Sequence, residues 1–217
     1  MNRLPSLVRQ HIAAFRMLLA FTVLCGIIYP VFMWGVAQVG FKNQADGSLV
    51  SYKGQVVGSS LPCQEFTDAK GNPLPQYFQP RPSNATSGAK NDYGCDAGYS
   101  GASNLGPNNS TLLTSIKARQ AQIAAFNHVP VSEVPPDAVT TSASGLDPDI
   151  SPQYADIQVA RVAAARHLPV SQVQALVNQY TQGRILGFLG EPRVDVLTLN
   201  IALDELPGQA KYAEAGA

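Results

Sequence analysis

Charge is scarce in this sequence. Of 217 residues, 15 are basic and 15 acidic, so 14% carry charge, against roughly 25% in an average globular domain. The net charge is zero, which excludes a general attraction to nucleic acid, because phosphate binding needs clustered Lys and Arg. It also excludes an acidic disordered tail. Tryptophan occurs once, as Trp34, inside the one long apolar run. No tryptophan platform of the kind a sugar- or peptidoglycan-binding module exposes therefore lies outside that run. Of three histidines, only His128 and His167 lie beyond it, which leaves few candidate bases for a serine triad. No C-x-x-C or Cys/His cluster supports a metal site. No G-x-x-x-x-G-K-[ST] or G-x-G-x-x-G supplies a phosphate cradle. Gly98-Tyr-Ser-Gly-Ala102 fails the G-x-S-x-G elbow at its last position. A membrane-anchored hydrolase or binding module is thus the weaker alternative.

The apolar run itself is the strongest positive signal. Met17 to Phe41 holds no Asp, Glu, Lys, Arg or His in 25 consecutive residues, more than the roughly 20 needed to cross hydrocarbon. It is too long for a signal-peptide core of about 7–15 residues, and Val36-Ala37-Gln38 is a poor cleavage site. Pro30 within it removes a helical hydrogen bond and predicts a kink or a partner helix. Arg3, Arg9 and Arg16 precede the run with no acid among them. By the positive-inside rule residues 1–16 form a cytoplasmic tail, 17–41 the span, and residues 42–217 lie outside; the resemblance described below ends near Leu206, which divides them into an extracytoplasmic domain, 42–206, and a C-terminal tail, 207–217. Residues 42–217 then hold 12 basic and 15 acidic groups, a net −3. That surplus predicts a modest enrichment of cations near the domain, screened over about 8–10 Å.

Cysteine use fits this placement. Cys25 lies in the span as a small apolar residue. Cys63 and Cys95 are the only two outside it, so an oxidising compartment predicts a disulfide between them, with two unpaired buried thiols as the alternative.

The domain is expected to be α+β, with strands and turns in its first half and helices in its second. Ser48–Tyr52 and Gln55–Gly58 alternate like short strands. Asn109 or Ser110 caps a predicted helix near 110–126, with Leu112, Leu113, Ile116, Ile123 and Phe126 at helical spacing. Ser151-Pro152 opens a second helix to about His167, with Ile157 and Val162 facing inward. Ser171-Gln-Val-Gln174 reads as a capping box for a third, through Leu176, Val177 and Tyr180. Val194–Leu206 fits strand or helix. An echo, His128-Val-Pro-Val-Ser-Glu-Val134 and His167-Leu-Pro-Val-Ser-Gln-Val173, reads as one way of stopping a helix used twice. Asp137, Asp147, Asp149 and Asp156 lack Ca²⁺-loop spacing and read as solvated capping acids. The Ser/Gly/Asn stretches 100–107 and 139–147 lack apolar bulk and read as hydrogen-bonded turns with a secondary role as a contact surface. Candidate contact residues there are Ser100, Gly101, Ser103, Asn104, Ser142, Ser144 and Asp147.

Several segments in order resemble one family. They are the single span, Gly58-Ser-Ser-Leu61 with Gln64 and Phe66, Tyr77-Phe78 with Arg81-Pro-Ser83, and Ser100-Gly-Ala-Ser-Asn-Leu-Gly-Pro107. They continue through Val139–Asp147, Ile150-Ser-Pro152, Gln158 with Arg161 and Arg166, and Gly187–Arg193 with Leu199-Asn200 and Leu203-Asp204. Together these resemble the C subunit (KdpC) of the bacterial Kdp potassium-transporting P-type ATPase. Cys63, and the loop from Lys90 to Gly98 with its Cys95, depart from the family pattern. The resemblance implies a non-catalytic accessory subunit of an inner-membrane complex. It implies as partners a potassium-translocating A subunit, a P-type ATPase B subunit and a small F subunit, together with the lipid bilayer and no nucleic acid. It also implies a catalytic chaperone that promotes ATP use by the B subunit. ATP is implied as a ligand by the resemblance alone, against the predicted external placement of the domain. No catalytic residue and no metal ligand is assigned.

Overall fold

The computed structural model describes residues 5–89 and 92–209, in two compact units, Met1–Leu49 and Val50–Ala217. The first unit is built on one helix over Ser6–Gly40, long and apolar enough to cross a membrane. It comprises α1 (Ser6–Val23), a π-helical turn (Leu24–Ile28) and α2 (Tyr29–Gly40). The π turn answers Pro30. A proline leaves the carbonyl four residues earlier without its donor. Here the register slips to i−5 just before it, with the Tyr29 N–H donating to the Leu24 carbonyl. The helix begins at Ser6, eleven residues before the expected start of the span. Leu7, Val8, Ile12 and Phe15, spaced by helix-forming Arg, Gln and Ala, extend it. At 1.5 Å per residue its 35 residues measure about 52 Å, longer than the ~30 Å of hydrocarbon. A short α3 (Lys42–Ala45) follows.

The second unit is α+β. Strands β1 (Leu49–Tyr52) and β2 (Gln55–Ser59) form a hairpin. Its two turn residues, Lys53 and Gly54, have φ of 49° and 80°, the primed turn that matches strand twist. From there to Asn109 the chain has no helix and only an isolated bridge, Thr67 with Pro73, among the described residues. Helices then dominate: α4 (Ser110–Asn127), α5 (Pro136–Val139), α6 (Pro152–Arg166), α7 (Val170–Tyr180) and α8 (Val196–Glu205). A small antiparallel sheet has the order β3 (Asp149–Ile150), β5 (Arg193–Asp195), β4 (Thr181–Gln182). Ile150 and Thr181 both register on Val194. The stretch 194–206, open between strand and helix, is both in turn. It changes at Asp195, whose carboxylate accepts from the Thr198 N–H at 2.7 Å and caps α8.

The expected caps mostly form. The Asn109 side-chain oxygen Oδ1 accepts from Thr111 N–H, and the Ser151 hydroxyl from Tyr154 N–H. The Ser171–Gln174 capping box does not. Pro169 stands at the N-cap and its carbonyl takes the N–H groups of Gln172 and Val173, which puts Ser171 inside the first turn. Gln174 instead donates to Asp156 and Asn178. The echoed heptapeptides are two copies of one helix stop. His128 and His167 are left-handed C-caps at φ 58° and 56°. In each, the next N–H (Val129, Leu168) reaches back to Ala124 or Ala163, the closure typical of helix ends.

One buried core cluster holds Phe78 with Ile150, Val159, Val162, Val173, Val177, Val194, Leu199 and Leu203. Ile157 on α6 is only half-buried, and Leu113 is exposed, so the inward stripe of α4 is narrower than its leucines suggest.

Candidate functional site

The candidate contact residues of the two Ser/Gly/Asn stretches come together. Gly101 N–H donates to the Ser144 carbonyl at 2.8 Å, and the Ser100 hydroxyl donates to the same oxygen at 3.1 Å. Segment 83–85 lies against both. The Ser83 hydroxyl donates to the Gly145 carbonyl at 2.6 Å and accepts from the Ala85 and Cys95 N–H groups. Cys63 and Cys95 are joined here as a disulfide, and the Cys63 N–H donates to the Leu146 carbonyl. Gly145 is required by this closeness. Its φ is +73°, and a Cβ would lie 2.5 Å from the Gly101 oxygen and 2.8 Å from the Ala85 nitrogen, backbone atoms that cannot yield. Both stretches are thus ordered turns bonded to each other. Ser100, Asn104 and Ser144 remain exposed at their rim, while Ser103 and Ser142 are half-buried.

The acids of this region do more than cap. Asp137 accepts from Ser151 N–H and hydroxyl, and Asp147 accepts from Asp149 N–H. Asp147 also pairs with Arg81 at 2.6 Å and Asp149 with Arg193 at 3.0 Å, so these two are not freely solvated and supply little field for attracting potassium. Burial pushes the Asp149 carboxyl up to about 6, with Asp195 and Asp147 adding to it, against the pull of Arg193. A raised carboxyl binds its proton more tightly when folded, so this group's contribution falls as pH rises from about 4 to 6. Asp149→Asn is expected to gain thermal stability on the native chain at pH 7 relative to pH 4.5. An equal difference at both pH values would remove this role.

Sequence reasoning missed the polar straps that hold the irregular segment 73–83. Arg161 on α6 donates to the carbonyls of Pro75 and Tyr77, to Asn127 and to Gln158, and its guanidinium stacks 4.3 Å from the Phe126 ring. Burial lowers its pKa to about 10. Gln158 exchanges bonds with both backbone groups of Gln79, and Asn200 does the same with Phe78. Arg166 donates to the Gln76 carbonyl and pairs with Asp204 at 2.7 Å, both side chains buried. Tyr77 donates to the other Asp204 oxygen. Burial raises Asp204 against the hydrogen bonds of Arg166 and Tyr77 that lower it. The signal was present: Gln158 and Arg161, and Asn200 and Asp204, sit three or four apart on the faces that carry Val162, Leu199 and Leu203.

Two cavities flank the strapped segment. One, about 290 Å³, is lined by Tyr52, Gln64, Glu65, Tyr77, Asn200 and Asp204 among others. The other, about 400 Å³, holds Glu65, Arg81, Tyr93, Arg119, Phe126 and Tyr154. Its two arginines are engaged, Arg81 with Asp147 and Arg119 with the Val139 carbonyl at 3.1 Å, and Glu65 carries a carboxyl raised by burial and by Asp92. That mixture offers no dedicated anion cradle. His128 and His167 are exposed, and neither side chain makes a hydrogen bond among the described residues. No group of three potential metal ligands occurs among the described residues.

These features define a class: a protein with a single apolar membrane-length helix and one α+β domain organised by buried arginine straps and a turn cluster. The chain belongs to the KdpC family, described as the c chain of K⁺-transporting ATPase, whose profile matches residues 11–205. It is 45% identical to the potassium-transporting ATPase KdpC subunit of Streptomyces avermitilis, over 94% of this chain and 97% of that one. It is 47% identical to the same-named subunit of Mycobacterium tuberculosis H37Rv, over 91% and 99%. The likeness to the Beijerinckia indica subunit is also 47%, over 90% and 93%.

Proposed function

We propose that this chain is an accessory, non-catalytic subunit of an ATP-driven potassium uptake complex. Its N-terminus is cytoplasmic, its single span lies in the bacterial inner membrane, and residues 42–206 are extracytoplasmic. The carrying observation is the family match, which takes in the apolar helix and the folded domain together. In this reading the chain joins the potassium-translocating A subunit, the P-type ATPase B subunit and the small F subunit, and stabilises their assembly. It promotes ATP use by the B subunit through that assembly. The engaged arginines of the larger cavity favour an indirect effect over direct ATP contact. The rim residues Ser100, Asn104 and Ser144, next to the glycine-locked turns, are the polar part of the contact surface. Asp147, with Gly101, Ser103 and Ser142, shapes it from beneath.

The test is purification of the complex in detergent through a tag on another subunit, with and without this chain. Potassium-stimulated ATPase activity is expected in the first preparation and lost in the second. Full activity without the chain would overturn the proposal, as would a hydrolase activity of the chain purified alone.

A further inference from the structure

The smaller cavity, about 290 Å³, is lined by an acid that the fold leaves uncompensated. Glu65 is half-buried in its wall, and its carboxylate makes no hydrogen bond or ion pair among the described residues. The neighbouring charge that acts on it, Asp92, has the same sign, and together with burial it raises the carboxyl. That is the behaviour of an acid with no cation beside it. Asp147, Asp149 and Asp204, by contrast, each pair with an arginine. A partly desolvated carboxylate without a partner is unfavourable, and a cation entering the cavity would remove that cost.

The surroundings of Glu65 suit such a guest. Gln64 Oε1 is a second oxygen without a hydrogen-bond partner among the described residues. It lies over Gly58, and Glu65 Oε1 lies over Gly94, each where a Cβ would come within 2.7 Å. The rings of Tyr52, Phe66 and Tyr77 line the cavity with Leu197 and Ile201, and the Phe66 and Tyr77 ring centres are 5.1 Å apart. Asp204 adds a second acid to the wall, while no Lys, Arg or His belongs to it among the described residues. Lys53, 5.2 Å over the Tyr52 ring, acts on Asp204 and leaves Glu65 unaffected.

We infer that this cavity binds one organic cation, a guanidinium or primary ammonium group on an alkyl stem, held by the Glu65 carboxylate and the Gln64 oxygen against the aromatic wall. The lining separates this class from others. An anion would meet two acids and no base, and a neutral apolar guest would leave Glu65 unpaired. Hard metal ions take several oxygen ligands, and no group of three acidic, His or Cys ligands occurs among the described residues. A guanidinium is weakly hydrated, forks onto a carboxylate and stacks on aromatic rings, which matches both halves of the lining. The group has two possible sources, a basic side chain of a neighbouring subunit or a free amine.

Calorimetric titration of the full chain in detergent micelles with n-butylguanidinium, n-butylammonium and potassium chlorides tests the inference. Saturable binding is expected for both organic cations, tighter for the guanidinium, with potassium weaker by about tenfold or more. The methyl resonances of Val57, Leu197 and Ile201 should shift on binding, which ion pairing at the outer surface would not cause. Glu65→Gln is expected to lower the affinity by about tenfold or more without lowering the melting temperature, since a neutral amide spares the burial of charge. Gln64→Leu should weaken binding by a smaller factor. Absence of saturable binding, an equal response to potassium, or undiminished affinity in Glu65→Gln overturns the inference. A lower melting temperature in Glu65→Gln also overturns it, because Glu65 would then serve the fold. The same titration on the assembled complex separates the sources: exclusion of n-butylguanidinium there assigns the site to a side chain of another subunit, and retained binding assigns it to a free amine.

Discussion

Asp204→Ala is expected to destabilise the folded domain by about 3–5 kcal/mol, the scale of breaking a buried ion pair from one side. The figure follows from what the substitution leaves behind. Arg166 is fully buried, its guanidinium lies 4.8 Å from the Tyr77 ring centre, and it pairs with Asp204 at 2.7 Å. Without the carboxylate, a charged guanidinium stays in the core with the Gln76 carbonyl to receive it, and the Tyr77 hydroxyl loses its acceptor. Removing both charges is a different experiment. Arg166→Met with Asp204→Leu substitutes apolar groups of similar reach, and is expected to recover most of the loss, because desolvating two ions offsets much of what their attraction returns. Urea unfolding of the full chain in detergent micelles, followed by circular dichroism, gives both numbers. A single-variant loss below about 1 kcal/mol would show that the strap is dispensable.

How much of this was legible beforehand differs by physical cause. Local rules reached the helices with polar caps: Asn109 and Ser151 take the N–H groups their residue types predict. They reached the hairpin through its alternation and the apolar helix through its run of uncharged residues. They failed at Ser171, where the carbonyl of Pro169, two residues earlier, captured the cap. An absence of charge reads hydrocarbon length and does not fix the first turn of a helix, which opens here at Ser6. The turn cluster was visible as composition, a surplus of Ser, Gly and Asn without apolar bulk. Its pairing was not, since Gly101 meets Ser144 across 43 residues of chain, a distance no spacing rule spans. The straps were missed for a related reason. Buried arginines are rare enough to be read as surface by default, and only the folded chain brings Arg161 and Arg166 to the bare carbonyls of residues 75–77. Those carbonyls need partners because that segment has no sheet to supply them. Tyr77, Gln158, Arg161, Arg166, Asn200 and Asp204, quoted for the family resemblance, are the strap residues. The likeness therefore tracks a mechanical requirement of the domain.

Loss of the Cys63–Cys95 bridge is expected to cost about 3–4 kcal/mol, from the loop-closure entropy of the 32-residue separation. The effect should centre on the turn cluster. The bridge ties residue 63, bonded through its N–H to Leu146, to residue 95, bonded through its N–H to Ser83, and Ser83 in turn holds Gly145. Segment 60–109 has neither helices nor a sheet among its described residues, so a covalent constraint there replaces cooperativity that regular structure provides elsewhere. Cys63→Ala with Cys95→Ala removes the bridge without leaving a reactive thiol in the domain. Urea unfolding should show the loss, and amide hydrogen exchange should quicken first at Gly101 and Leu146 while the Arg161 and Arg166 straps stay protected. Fast exchange at the straps as well would mean that the domain opens as one unit, with the bridge acting on its whole stability. Unchanged stability would mean that the hydrogen bonds around Ser83 already close the loop and that the sulfur link adds nothing to the folded state.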